Sequence, residues 1–345
     1  MTALAAPVAL EHRSLSRAQL GLLGAGAIGV TAVLFTVGQF QGVLDFMLVA
    51  YILYVLAQTG ASYAVEGARA AKNRLALTLL VSAFFLALVP LVAVLFYTVQ
   101  RGLQALTPGF FTHSMSGVGP LESGGGAYHA IIGTLEQVLI SSIISIPIGL
   151  LAAIYLVEYG RGRLTYWIRF FVDVMIGVPS IVAGLFIFAF WVLALHRGFS
   201  GFAAGMALSI LMMPIVVRAS EEMLLLVPDE LREASYALGI PRWRTILSVV
   251  LPAASAGLTT GIILAVARVT GETAPLLLTA FGFDAIRTNP FSGPQSGLPL
   301  FVFNQAGSAF GVAVARAWAG ALTLITIVLL LTVLARLLTR RNTLV

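Results

Sequence analysis

The stretch Pro228-Asp229-Glu230-Leu231-Arg232-Glu233-Ala234-Ser235-Tyr236-Ala237-Leu238-Gly239-Ile240-Pro241-Arg242-Trp243-Arg244 is a charged island in an apolar chain, and it runs on through Thr245 to Leu251-Pro252. Its punctuation is that of a short helix. Asp229 suits an N-cap, and Glu230 and Glu233 fall in the early turns, where the helix dipole favours acids. Gly239 is placed to stop the helix in a left-handed conformation that costs other residues about 1–2 kcal/mol. Pro241 then opens a second helix where no N–H donor is needed, and Arg242 and Arg244 give it a basic face. A helix of about ten residues is not stable alone in water, so it must dock. Leu231, Ala234, Ala237 and Leu238 form a small apolar stripe near helical spacing. That stripe either packs back on the inner ends of the chain's own helices or meets another protein.

Working outward, the rest of the chain reads as membrane. Of its 345 residues 59% are hydrophobic and 10% charged, against about 25% charged in soluble domains. A span needs about 20 mostly apolar residues. Eight stretches meet this, over about 20–40, 43–65, 75–99, 130–157, 171–195, 201–217, 252–280 and 310–337. All are expected to be helices, because an open sheet edge cannot face lipid. The first follows Arg13 and Arg17 and is too long for a signal h-region, so it reads as a retained span. With eight spans, Arg13, Arg17, Arg69, Lys72, Arg74, Arg161, Arg163, Arg169, Arg218, Arg232, Arg242, Arg244, Arg336, Arg340 and Arg341 share one compartment, and Arg101, Arg197 and Arg287 take the other. The positive-inside rule therefore puts both termini, and the 218–251 loop, in the cytoplasm.

Two basic residues fall inside spans. Arg268 sits in Arg268-Val269-Thr270-Gly271-Glu272-Thr273-Ala274-Pro275. An arginine at helix centre costs about 2.5–3.5 kcal/mol on insertion scales, so it faces protein or water. Glu272 is four residues on, which gives the two one helix face and lets them pair. They form either a cationic station for an anion, tempered by the acid, or a structural ion pair between helices. Guanidinium suits oxyanions because it offers planar, bidentate hydrogen bonds. Arg316 is expected to snorkel to the outer surface. Asp173 is expected to pair with Arg169 near a cytoplasmic helix end. Pro90, Pro147, Pro179 and Pro214 are expected to kink helices, and Gly201–Gly205 and Gly257–Gly261 fit close helix packing.

Glu233-Ala234-Ser235, then Gly239, then Val249-x-Leu251-Pro252, resembles the EAA loop of ABC importer permeases, with Ser for Ala and Val for Ile. The strings 267–277, 126–135 and 289–295 resemble the PstA family, the permeases of phosphate-specific ABC importers. The resemblance covers about 75–345 and implies an all-α polytopic membrane protein. Its core would be the six-helix type I importer fold, with two extra helices in an N-terminal extension over 1–74. A first core helix and outer loop would fill 75–129, and 130–345 the rest. It implies a pathway at Arg268, Glu272, Thr270 and Thr273. It implies coupling to an ATPase through Asp229, Glu233, Ala234, Leu238, Gly239 and Arg242. The implied partners are a PstC-like second permease, a PstB-like ATPase dimer that holds ATP and magnesium, and a PstS-like phosphate-binding protein. The implied setting is the bacterial cytoplasmic membrane.

Enzyme readings find no support in the motifs. His12, His113, His129 and His196 include no HExxH pair, no G-x-S-x-G occurs, and there is no cysteine. Lys72, the single lysine, follows Ala71, which excludes a Gly-Lys P-loop. No cofactor, metal ligand or catalytic residue is expected in this chain. An ion-coupled secondary transporter would account for Arg268 and Glu272 but leaves the 229–252 loop without a role. Permeases for sulfate, molybdate or phosphonate share that loop, so phosphate rests on the three strings.

Overall fold

The computed structural model describes residues 14–38, 42–119 and 121–342; Arg13 and the expected end of the first span at Phe40 lie outside them. The described chain is helical, without a strand beyond one isolated bridge between Phe281 and Gln295. It divides into two compact units, Met1–Leu95 and Phe96–Val345, so the division falls within a helix.

The first unit holds α1 (Arg17–Val37), α2 (Val43–Glu66) and most of α3 (Ala68–Ala105). Ser16 and Gln19 cap α1 reciprocally. Phe35 meets Phe46 edge-on between α1 and α2. A row of polar pairs joins α2 to α3: Tyr51 Oη donates to Ser82 Oγ at 2.8 Å, Gln58 Nε2 to Thr78 Oγ1 at 2.9 Å, and Arg74 grips Glu66 at 2.5 Å. Without a hydrophobic drive between helices in lipid, such bonds and close packing hold the pair.

The second unit is built around α7 (Gly201–Leu225), the most buried of the long helices. Against it pack α4 (Tyr128–Ile154), which continues through a π turn at Tyr155–Tyr159, and α10 (Leu251–Thr270). Small residues set the approach. A Cβ added at Gly205 would lie 2.6 Å from Ile140 Cγ2, one at Gly149 2.8 Å from Val216 Cγ1, and one at Gly261 2.9 Å from Ala219 Cβ. The two GxxxG pairs read from the sequence therefore do mark close contacts. Leu208, Met212, Val216, Val269, Leu276 and Leu300 fill the centre. The long α13 (Gly311–Asn342) packs on α10.

Two expected spans are broken. The stretch 171–195 is not one helix: α5 (Arg163–Gly177) and α6 (Ser180–Ile187) meet at 104°. Pro179 disfavours the helical conformation at the residue before it, and Val178 is extended there with ψ 125°. The stretch 252–280 also divides, because α10 stops at Thr270 and a short α11 (Ala274–Thr279) follows. Pro275 has no N–H for the carbonyl of Gly271 and crowds it, and with Gly271 at the cap this favours a stop there. Pro90, Pro147 and Pro214 lie inside continuous helices. Seven described helices are long and apolar enough to cross a membrane, and the bent α5–α6 pair makes up to eight. The charged segment after α7 carries α8 (Asp229–Ala237) and α9 (Arg242–Thr245). Pro228 rather than Asp229 stands at the N-cap of α8, and Asp229 is its first residue, because Pro228 already holds an extended ψ of 140° and no side-chain cap forms. Pro241 likewise stands at the N-cap of α9 rather than inside it. The loop 281–307 contains a helix that its turn-forming residues conceal, α12 (Leu298–Ala306).

Glycine at the α4–α7 crossing gives a direct test. Gly205→Val is expected to lower the thermal midpoint of the purified protein, at a cost of about 1–3 kcal/mol for overpacking. Gly26→Ala, where a Cβ meets nothing within 4 Å, is expected to leave the midpoint unchanged.

Candidate functional site

Helix α8 shows two characters. Arg232 and Ser235 turn toward the protein, whereas Leu231, Ala234, Ala237 and Leu238 are exposed, Leu238 at 80%. The apolar stripe therefore does not pack back on the chain's own helix ends; it is left open. Glu233 and Arg242 are exposed beside it, as is Trp243. Gly239 ends the helix with φ +76°, the left-handed conformation expected of it. The inner side is tied by polar contacts: Arg232 to Glu158 Oε1 at 3.0 Å, and Ser235 Oγ to Thr245 Oγ1 at 2.8 Å.

Toward the membrane, a four-residue charge network joins α5 to α7. Arg169 donates to Glu221 at 2.9 Å, and Arg218 holds both Glu221 at 2.9 Å and Asp173. Asp173 thus pairs with Arg218, not with Arg169. The reason is that Glu221 claims Arg169: its side chain is 5% exposed and needs both cations, whereas that of Asp173 is 57% exposed.

One turn further in, the two broken spans face a common cleft of about 210 Å³. Its walls are Met175, Val178 and Ser180 from the α5–α6 bend, Leu211 and Pro214 from α7, and Arg268 and Glu272. Gly184 lets the breaks approach, since a Cβ there would lie 2.6 Å from Pro275 Cα. Arg268 is exposed to this cleft, Glu272 is half-buried, and among the described residues the two form no ion pair. The expected pair fails because the helix ends between them: Gly271 caps α10, and the Glu272 N–H bonds the Val269 carbonyl. Thr270 faces the core and spends its hydroxyl on the Val266 carbonyl at 2.7 Å. Thr273 is half-buried at the N-cap of α11 and is not among the cleft's walls.

The segments 126–137 and 289–298 meet although far apart in sequence. Thr134 Oγ1 accepts the Leu298 N–H at 2.6 Å, and Gln295 Nε2 reaches Glu136 at 2.5 Å while its Oε1 accepts from Gln137 at 3.1 Å. Gly133 is obligatory there, since a Cβ would fall 1.9 Å from the Ser296 carbonyl oxygen. Arg316 does not snorkel. It is buried and bonds the carbonyls of Glu122 and Gly124 at 3.0 and 3.1 Å, which pins the loop before α4. Glu158, Glu221 and Gly184 carry no local sequence signal of this kind, since Arg232, Arg169 and Pro275, which they meet, are distant in the chain.

Residues 145–344 match the family model described as binding-protein-dependent transport system inner membrane component. The chain is 48% identical over 261 residues to phosphate transport system permease protein PstA 1 of Mycobacterium tuberculosis, covering 75% of this chain and 86% of that one. It is 43% identical over 269 residues to the PstA protein of Yersinia pestis, covering 78% and 90%. Among solved structures it resembles a chain of the inward-facing methionine ABC transporter MetNI, with TM-score 0.51 and 21% identity over 61% of this chain and 93% of that one. That last likeness is one of fold.

The inner charge network predicts unequal mutants. Glu221→Gln leaves two part-exposed arginines short of their buried partner and is expected to cost about 1–3 kcal/mol. Asp173→Asn removes an exposed partner and is expected to cost about 0–1 kcal/mol. Thermal unfolding of both variants in the same detergent checks the order.

Proposed function

Because this chain belongs to the family of binding-protein-dependent transport system inner membrane components, in its PstA phosphate-permease branch, we propose that it carries phosphate inward past Arg268 by alternating access. The chain is a multi-pass inner-membrane permease subunit of a phosphate transport system. Both termini and the α8–α9 loop face the cytoplasm in this proposal. The engine is a pair of PstB-like ATPase subunits, which hold ATP and magnesium. A PstC-like permease completes the path, and a PstS-like protein delivers phosphate to the outer face.

The observation that carries the reading is Arg268. It stands at a break in a spanning helix, open to a cleft, with no carboxylate partner among the described residues. Its guanidinium has five N–H donors, and a phosphate oxyanion can take two of them at once. Helix breaks of this kind are tolerated in a membrane where they line a cavity. Glu272 on the same cleft keeps the site's net charge low, so a bound anion is also released. Thr273 adds a hydroxyl at the break. The inner face supports coupling: the exposed Leu231–Leu238 stripe, with Glu233, Gly239 and Arg242 beside it, is shaped to enter a groove on an ATPase. ATP binding draws two such loops together and opens the cleft outward; hydrolysis returns it inward.

Three experiments test this on the reconstituted complex. Arg268→Gln is expected to lower ATP-dependent phosphate uptake at least about tenfold, the value of a charged hydrogen bond, while assembly and ATP hydrolysis persist; normal uptake removes Arg268 from the path. Phosphate is expected to be taken up in preference to sulfate and molybdate. Leu238→Asp and Gly239→Val are expected to weaken ATPase co-purification, and unchanged binding by both removes the docking role.

A further inference from the structure

Arg232 makes more contacts than an arginine on a short surface helix needs. Its side chain is 12% exposed. Nε donates to Glu158 Oε1 at 3.0 Å. Nη1 donates to the Val227 carbonyl at 2.6 Å and to Asp229 Oδ1 at 3.1 Å, and Nη2 to the Leu224 carbonyl at 3.0 Å. Two of these partners are carbonyls at the exit of α7: Leu224 in its last turn, where the helix no longer supplies a full i+4 partner, and Val227 two residues past its end. A cation there also suits the negative end of the helix dipole. Glu158 lies in the π turn that ends α4, and its side chain is 5% exposed. A single guanidinium thus joins α8 to the inner ends of α4 and α7.

From these contacts we infer that Arg232 is the strut that carries movement of α8 into the membrane helices, a positioning residue for transport. The inference rests on the proposed docking of α8 on an ATPase. The mechanical chain is short. The outward stripe of α8 receives the push, and Arg232 on its inner side passes it to α7. Helix α7 is held tightly to α4 at Gly149 and Gly205, and it supplies Leu211, Pro214 and Ile215 to the Arg268 cleft. The bonds are directional, and they span the two helix ends with a rigid planar group. Lysine has one point of charge and cannot reproduce that fork. Ser235 and Thr245 make a second contact, to α9 and the start of α10, but as a single hydroxyl pair it fixes no orientation. Below them Ala153, Leu224, Val227, Val250 and Ala254 form a common apolar floor, which lets the inner ends move as one body.

The test is phosphate transported per ATP hydrolysed, measured with the full complex in liposomes. Arg232→Gln is expected to keep ATPase bound and hydrolysis within about twofold of wild type, because the outward stripe is untouched, while phosphate per ATP falls about tenfold or more. Arg232→Lys is expected to restore part of the ratio. Glu158→Gln, which leaves the carbonyl contacts in place, is expected to reduce it about threefold, and the double variant to be no worse than Arg232→Gln alone, as for residues acting through one contact. Wild-type ratios in both single variants overturn the strut, as does a double variant whose losses multiply. Should Arg232→Gln fail to assemble, Glu158→Gln decides the matter by the same ratio. Failure of the wild-type complex to transport phosphate would instead strike at the proposed function.

Discussion

A charge cannot be left in hydrocarbon without a partner or water, and that constraint organises the second unit of this protein. The alternative is a cost of several kcal/mol, which no single helix contact offsets. The arginines obey it in three ways. Arg169 and Arg218 share Glu221, Arg232 meets Glu158 and helix-end carbonyls, and Arg316 is consumed by loop carbonyls. Each joins elements that the chain brings together from afar. Arg268 obeys it differently, by facing a cleft. The contrast between spent and unspent guanidinium groups is what separates architecture from a place where an anion can bind.

The cleft itself follows from two prolines. Pro179 and Pro275 each forbid a straight helix, and each break frees backbone groups that must be satisfied inside protein. The breaks lie against each other, with Gly184 at the contact, and local bonds such as Val178 N–H to the Met175 carbonyl and Glu272 N–H to the Val269 carbonyl take up part of what each break frees. This contact gathers the ends of three segments, α5, α6 and α10, with Glu272 just past α10, around one small space. A site built from helix ends is well suited to rearrangement, because relative movement of rigid helices changes its shape without unfolding any of them.

Much of this was legible in the sequence, and the boundary of legibility has a physical meaning. Lipid exposure writes itself into composition, so most of the long spans and their helical nature were evident. The α8 loop was evident because glycine and proline act locally: Gly239 adopts the left-handed conformation its place demands. Contacts between distant segments leave no such mark. Nothing near Glu158 announces Arg232, and Asp173 pointed to Arg169, the nearest cation along its own helix, when the cross-helix Arg218 was the closer fit. Pro179 was read as a kink, whereas neighbouring packing turned it into a bend of 104°. Helix α12 was hidden because it begins with Pro299 in a loop rich in turn residues.

The pairing of Arg268 with Glu272 shows why such a failure of local inference carries information. On an unbroken helix the two would lie one turn apart and neutralise each other. The same eight residues contain Gly271 and Pro275, which end the helix between them. The break removes the geometry that would have spent the cation, yet leaves both groups on the walls of one cleft. In the proposed pathway, an arginine held near an acid, but not by it, would keep its donors for a passing oxyanion while the acid limits how tightly that ion is held. Helix termination at Gly271 is therefore part of the chemistry of the site as much as of its shape.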